Sequence, residues 1–118
     1  MRLKEFKEII KKAEPLLADG TIDVTSYRLF ILKKLPLEHA DEARLTDIFS
    51  QTTINLLIEQ GQKIINTGHG ESFILGGESV NFSDYRDRYL EIFSIWQKNK
   101  WIKIEEQPDG NIKIILNC

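Results

Sequence analysis

Apolar side chains recur near the start of the chain at steps of three and four residues, the spacing that gathers them on one face of a helix. Lysine and glutamate fill most of the positions between them. We therefore predict an amphipathic helix over residues 3–17. Pro15 has no backbone N–H, so the helix is expected to kink or stop near Glu14. Its apolar stripe comprises Leu3, Phe6, Ile9, Ile10, Ala13, Leu16 and Leu17.

The next stretch predicts a shorter helix, from about residue 26 to residue 34. Thr25 or Ser26 is the expected N-terminal cap, and Pro36 is the expected stop. The β-branched residues from Ile22 to Thr25 leave a short strand open as an alternative. Tyr27, Phe30 and Ile31 are the predicted buried side chains of this helix.

A longer helix is predicted from Asp41 to Ile65, with Asn66 and Gly68 as stop signals. Ile54 and Ile58 widen its apolar surface beyond a single stripe. A helix that is apolar on more than one side is typical of a central position or of an oligomer contact. The main stripe consists of Leu45, Ile48, Phe49, Thr52, Leu56 and Leu57.

The second half of the chain predicts strands around one more helix. Residues 72–75 and 80–82 flank Gly76-Gly77 and indicate two short strands joined by a tight turn. Ser83 is the expected cap of a helix over residues 84–99. A closing hairpin is predicted from Trp101–Glu105 and Asn111–Leu116 around Pro108-Asp109-Gly110.

These elements predict an α+β fold in which three or four helices pack on a small antiparallel sheet. The length of 118 residues fits one domain, residues 1–118. Residues 83–116 resemble the last helix and the wing of winged-helix domains. The resemblance implies contact between cationic side chains and nucleic acid, and the candidates are Arg86, Arg88, Lys98, Lys100 and Lys103. The hairpin departs from the DNA-binding pattern, because it also carries Glu105, Glu106 and Asp109.

Charge argues further against nucleic acid as the main partner. Sixteen basic and eighteen acidic residues give a net charge of −2, which provides no overall attraction for phosphate or for an anionic membrane. Residues 1–34 carry eight basic and five acidic side chains, a net +3. Residues 35–82 carry two basic and seven acidic side chains, a net −5, and the remaining segment balances at six of each.

No motif in the sequence organises a reactive site. His69, Glu71 and Ser72 are of the right types for nucleophilic chemistry, and a hydrolase centred on His69 and Ser72 is the enzymatic alternative. Proximity in sequence is not catalytic geometry, however, and His69 lies in a predicted turn. Cys118 is the only cysteine and is expected to be a reduced thiol. We therefore predict a protein that is not an enzyme and has no metal or cofactor.

The surplus of apolar and acidic surface favours a non-catalytic protein-binding module. Small inhibitors, immunity or antitoxin-like proteins and accessory subunits work this way, by masking a partner surface. The expected partner is a protein, with a basic surface or in the form of a second copy; the alternative is a winged-helix DNA-binding regulator. No signal peptide or membrane-spanning run is apparent, so the cytoplasm is the expected location. The predicted contact residues are the acidic Glu38, Asp41, Glu42, Asp47 and Glu59 and the aromatic Tyr85, Tyr89 and Trp101.

Overall fold

The computed structural model describes residues 1–37 and 42–117, and the chain divides into two compact units, Met1–Asn55 and Leu56–Cys118. The described residues contain four α-helices and two antiparallel β-hairpins, which confirms the predicted α+β class and the C-terminal order of helix then hairpin. The helices are α1 (Leu3–Ala18), α2 (Val24–Lys34), α3 (Gln51–Thr67) and α4 (Arg86–Lys98). The strands are β1 (Ser72–Leu75), β2 (Glu78–Asn81), β3 (Ile102–Glu106) and β4 (Ile112–Leu116).

Helix α1 continues through Pro15 to Ala18, so the expected stop near Glu14 was wrong. Pro15 lies in the last turn, where its missing N–H costs a single intrahelical bond. The helix ends at Ala18 and is followed by Gly20, which has a φ of +81°. The N–H of Thr21 donates to the carbonyl of Leu16 there, a C-terminal motif that needs a left-handed residue.

Helix α2 begins two residues before its predicted start. Its cap is Asp23, whose carboxylate accepts the N–H of Ser26 at 3.1 Å, rather than Thr25 or Ser26. Thr25 is helical, which excludes the alternative of a strand at this point. The helix ends at Lys34, shortly before Pro36, as predicted.

Helix α3 begins at Gln51, whereas the sequence predicted a helix from Asp41, a residue outside the described ranges. A 3₁₀ helix, Leu45–Asp47, precedes it, and the Asp47 carboxylate accepts the N–H of Arg44 at 3.0 Å. The hydroxyl of Ser50 then accepts the N–H of Thr53 at 3.3 Å and caps α3. Side-chain bonds to the backbone thus interrupt the predicted helix before its regular part starts.

Aromatic rings form the centre of the first unit. The ring of Phe6 stacks on Phe30, with centroids 5.7 Å apart, and meets the edge of Phe49 at 6.0 Å. These geometries are the favourable ones for aromatic pairs. The other buried apolar side chains of this unit include Ile10, Tyr27, Leu29, Ile31, Leu32, Leu35, Leu45, Ile48 and Ile54.

The second unit depends on the close approach of α3 and α4. A Cβ added at Gly61 would lie 2.4 Å from Cζ of Phe93 and 2.6 Å from Cδ1 of Tyr89, so only glycine fits there. Helix α4 follows a 3₁₀ helix, Phe82–Tyr85, so Ser83 does not cap α4 as predicted. Asn81 caps the 3₁₀ helix by accepting the N–H of Ser83, and α4 itself begins after Tyr85 with no side-chain cap. The buried apolar side chains include Leu57, Ile64, Phe82, Tyr89, Ile92, Phe93, Trp96, Trp101, Ile102 and Ile114.

The thickness of a bilayer sets a minimum length for a helix that crosses it. The apolar core of a membrane needs about 20 consecutive apolar residues in helical form. No helix among residues 1–37 and 42–117 is both long enough and apolar enough to cross it.

Candidate protein-binding surface

The hairpin of β1 and β2 has a tight two-residue turn. Gly76 and Gly77 have φ angles of +57° and +83°, as the type I′ turn that matches strand twist requires. The turn fixes the register, with Leu75 opposite Glu78 and Phe73 opposite Val80. The sequence predicted this turn and the first strand; the second strand ends at Asn81, one residue earlier than expected.

The register determines which backbone groups face away from the hairpin. The N–H of Phe82 donates to the carbonyl of Glu71 at 3.0 Å, so this pair is hydrogen-bonded, and bonded pairs alternate along an antiparallel ladder. Phe73 and Leu75 therefore bond within the hairpin. The N–H and C=O groups of Ser72 and Ile74 point outward along the free edge of β1.

The two faces of this hairpin differ in exposure. Phe73, Leu75 and Val80 share one face and are half-buried, and the ring of Phe73 meets the edge of Phe82 with centroids 6.0 Å apart. Ile74 lies on the other face and is 79% exposed, more than any other large apolar side chain in the described chain. An uncharged strand edge of this kind offers unpaired backbone N–H and C=O groups, and Ile74 adds an exposed apolar side chain beside them. Alternation along four residues does not reveal which face of the hairpin is covered, so the sequence alone does not distinguish Ile74 from Phe73.

The edge of β4, by contrast, is covered from within the same unit. Asn66 accepts the N–H of Ile112 at 2.8 Å and donates to its carbonyl at 2.9 Å. One helical turn earlier, Gln62 accepts the N–H of Ile114 at 2.9 Å. Two amide side chains of α3 thus occupy the hydrogen-bonding groups that β4 would otherwise offer to another strand.

Polar side chains mark the two remaining edges. Strand β3 carries Lys103, Glu105 and Glu106, and charges on an edge strand oppose pairing with another chain. Strand β2 carries Glu78, Ser79 and Asn81. Among the four described strands, only β1 has an edge that bears no charged residue.

The predicted acidic contact residues have different surroundings. Glu38 and Asp41 lie outside the described residues. Glu42 is half-buried and accepts a hydrogen bond from Nζ of Lys7 at 3.0 Å. Asp47 and Glu59 are exposed, and Asp47 also caps the 3₁₀ helix. Of the predicted acidic residues that the structure describes, Asp47 and Glu59 thus have carboxylates exposed at the surface.

Two of the three predicted aromatic anchors belong to the interior. Tyr89 is 0% exposed and Trp101 is 6% exposed, so neither ring presents a surface to a partner in this structure. Tyr89 packs on Phe93 with centroids 5.8 Å apart, because it falls on the inward stripe of α4. Tyr85 is half-buried and lies beside Phe82. Exposed apolar surface is therefore found on β1 rather than at these rings.

Most of the cations proposed for the DNA-binding alternative lie near carboxylates. The guanidinium of Arg88 lies 3.3 Å from Glu91, and Nζ of Lys103 lies 3.3 Å from Glu105. Arg86 approaches Asp87 at 3.9 Å, while Lys98 and Lys100 are exposed. Neighbouring carboxylates reduce the positive potential that phosphate binding requires.

A polar network in the first unit joins three helices. The N–H of Ser50 donates to both carboxylate oxygens of Glu14, at 3.1 and 2.9 Å, so a side chain of α1 neutralises the N-terminus of α3. The hydroxyl of Thr53 donates to the same carboxylate at 2.5 Å and lies 3.2 Å from the hydroxyl of Tyr27. Burial raises the pKa of Tyr27 to about 12, which keeps the phenol neutral and suits it to structural hydrogen bonding.

Replacing Tyr27 with phenylalanine is expected to change how stability depends on alkaline pH. The pKa of an unfolded tyrosine is about 10. The contribution of Tyr27 is therefore complete below pH 10 and is lost as the pH rises through the folded value of about 12. At pH 8 the variant should be less stable by about 1 kcal/mol, through the lost hydrogen bond.

Urea unfolding of both proteins from pH 8 to pH 12 measures this difference, and other titrating groups cancel in the comparison. The difference in unfolding free energy between the unaltered protein and the Tyr27→Phe variant should narrow above pH 10. A gap that stays constant over the whole range would contradict the raised pKa of Tyr27.

The residues of the enzymatic alternative lie at the base of the first hairpin. His69 and Ser72 are both exposed, and the backbone N–H of His69 donates to the hydroxyl of Thr67 at 3.1 Å. This bond stabilises the chain where α3 ends, which gives Thr67 a local structural role. Ser72 is the first residue of β1.

Comparison with known proteins adds no family to these observations. No protein-family model, curated protein or solved structure matches the chain.

Proposed function

We propose that the chain is a non-catalytic protein-binding module that masks a surface of its partner. The observation that carries the proposal is the edge of β1, where 79% of Ile74 is exposed beside the outward backbone groups of Ser72 and Ile74. Strand addition to such an edge combines main-chain hydrogen bonds, which give affinity, with a side chain that a partner buries. A small inhibitor, an immunity-like protein or an accessory subunit would use the surface in this way.

The charge of the chain supports a narrower form of the proposal, in which the partner has a basic surface. The segment 35–82 has a net charge of −5, and Asp47 and Glu59 within it are exposed. Complementary charge accelerates association and excludes acidic competitors. Capture of such a partner is expected to weaken as the salt concentration rises.

The proposal predicts that capture of a partner depends on the edge of β1. Ser72→Pro removes one outward N–H without removing a hydrogen bond of the hairpin, because the backbone N–H of Ser72 points away from β2. We expect this variant to retain less than about one tenth of the partner that the unaltered chain captures, since tenfold corresponds to about 1.4 kcal/mol. The measurement is quantitative affinity capture from the native cell, followed by mass spectrometry, at two salt concentrations.

Ser79→Pro is the matched control, because Ser79 lies opposite Ile74 and faces outward from the other edge of the same hairpin. It should leave capture unchanged. Equal capture by all three proteins would show that β1 is not the contact surface.

A further inference from the structure

The chain contains two Asp-Gly bonds, Asp19-Gly20 and Asp109-Gly110, and neither belongs to the surface around β1. Aspartate rearranges most readily when glycine follows it, because glycine has no side chain that hinders attack by its own backbone nitrogen. We propose that both bonds are latent sites of isoaspartate formation, which the fold protects and which local opening of the chain exposes.

The rearrangement consumes no cofactor and needs no oxidant. The backbone nitrogen of the glycine loses its proton and attacks Cγ of the preceding aspartate. The bond from Cγ to the carboxyl hydroxyl breaks, and one water leaves as a succinimide ring closes. Water then opens the ring. Opening at the side-chain carbonyl restores aspartate, whereas opening at the main-chain carbonyl gives isoaspartate, in which the main chain runs through Cβ and Cγ.

The first Asp-Gly bond, at the end of α1, is held in a geometry that opposes this reaction. The N–H of Gly20 donates to the carbonyl of Leu17 at 3.2 Å, so the attacking nitrogen keeps its proton in a hydrogen bond. The carboxylate of Asp19 accepts the N–H of Thr21 at 2.9 Å. Ring closure would also need the Cα–C bond of Asp19 to rotate far from its ψ of 0°, which would break the hydrogen bond from Gly20.

The turn between β3 and β4 repeats this arrangement at the second Asp-Gly bond. The N–H of Gly110 donates to the carbonyl of Gln107 at 3.0 Å, and the carboxylate of Asp109 accepts the N–H of Asn111 at 3.0 Å. Both glycines are left-handed, with φ angles of +81° at Gly20 and +87° at Gly110. A helix end and a hairpin turn thus hold Asp-Gly with the same two hydrogen bonds.

The ionisation of Asp19 adds to the protection of the first bond. Hydrogen bonds from the hydroxyl and from the backbone N–H of Thr21 lower the pKa of Asp19 below its usual value. The neutral carboxyl group is the reactive form, because it can release its hydroxyl as water and a carboxylate cannot. The lowered pKa therefore leaves less of Asp19 in the reactive form at a given pH.

Isomerisation would leave a lasting mark on a chain that has opened. It inserts one carbon into the main chain and moves the carboxylate onto Cα, so the original pair of hydrogen bonds does not form again. Asp19 lies in the unit Met1–Asn55 and Asp109 in the unit Leu56–Cys118. Each site therefore records opening within its own unit.

Peptide mapping of the full chain by mass spectrometry, after incubation at one mildly acidic pH, measures isoaspartate at each site. The protein is incubated folded in buffer and unfolded in concentrated urea. Synthetic peptides that span each Asp-Gly bond, in both solutions, correct for any effect of urea on the chemistry. Both sites should react at least about tenfold more slowly in the folded protein, since two hydrogen bonds must open before the ring closes. Equal corrected rates in the two solutions would overturn the protection.

Two substitutions at exposed positions test the local geometry, and each site serves as the control for the other. Pro108→Gly loosens the turn before Asp109, and Ala18→Gly loosens the last residue of α1 before Asp19. In the folded protein each should raise isoaspartate formation at its own site about two- to fivefold and leave the other site unchanged.

Circular dichroism shows whether each of these variants is folded. A folded variant that accelerates both sites equally, or neither, would overturn protection by the local turn. A variant that does not fold should instead react at the urea rate at both sites, and slow reaction in such an unfolded chain would equally overturn the proposal.

Discussion

Replacing Gly61 with alanine is expected to lower the free energy of unfolding by roughly 1–3 kcal/mol, the usual cost of overpacking a core. The added Cβ would lie 2.4 and 2.5 Å from two ring atoms of Phe93 and 2.6 Å from Tyr89. Both rings are buried, so neither has space into which it can withdraw. The sign of the change in unfolding free energy is informative, because replacing glycine with alanine in an unobstructed helix stabilises a protein by about 0.5–1 kcal/mol.

Urea denaturation monitored by circular dichroism measures the effect. Glu59→Ala, two residues earlier on the exposed side of α3, should stay within about 0.5 kcal/mol of the unaltered protein. Phe93→Leu should relieve the overlap, so Gly61→Ala should cost less in that background than alone. A Gly61→Ala variant that is as stable as the original would contradict the close approach of α3 and α4.

Phe6→Ala is expected to destabilise the protein by about 3–5 kcal/mol, the range for deleting a buried phenylalanine ring. Phe6 is 0% exposed and contacts Phe30 by stacking and Phe49 edge to face. Its removal leaves a cavity between aromatic rings and removes both ring contacts. Domains of this size are stable by about 5–15 kcal/mol, so the loss is a large share of the total.

Thermal and urea unfolding measure this loss, and two variants calibrate it. Phe6→Leu retains most of the apolar volume and should lie between the alanine variant and the unaltered protein. Ile9→Ala, on the same helix at a position that is 40% exposed, should cost much less. Equal losses at Phe6 and Ile9 would show that the aromatic centre does not stabilise the first unit.

Local pattern was sufficient to predict most elements of the fold. The three- and four-residue spacing located α1 and α4, and the Gly76-Gly77 pair located the first hairpin. The start of α3 could not be predicted in this way. Leu45, Ile48 and Phe49 keep a helical spacing across a 3₁₀ helix and a break, so periodicity alone does not distinguish the two arrangements.

The polar network of the first unit and the exposed edge of β1 were harder to predict from sequence, because both depend on contacts between residues that are far apart in the chain. The carboxylate of Glu14 neutralises the start of α3 from a position 36 residues away. The outward direction of Ile74 follows from the ladder bond between Phe82 and Glu71, which the sequence does not reveal. Tyr89 and Trp101 have the residue types of binding anchors, but only the packing shows that they are interior.

The amides of Gln62 and Asn66 can both reach β4 because the spacing between them along α3 nearly equals the spacing of their partners along the strand. Four residues of helix advance about 6.0 Å, and two residues of strand advance about 6.6–6.8 Å. Both hydrogen bonds, Gln62 to Ile114 and Asn66 to Ile112, can therefore form together only when α3 and β4 run in opposite directions and are held at one position relative to each other. Inserting one residue into α3 just before Gln62 would turn both amides by about 100° about the helix axis, away from the strand. The four-residue spacing of Gln62 and Asn66 thus fixes where the closing hairpin lies along α3.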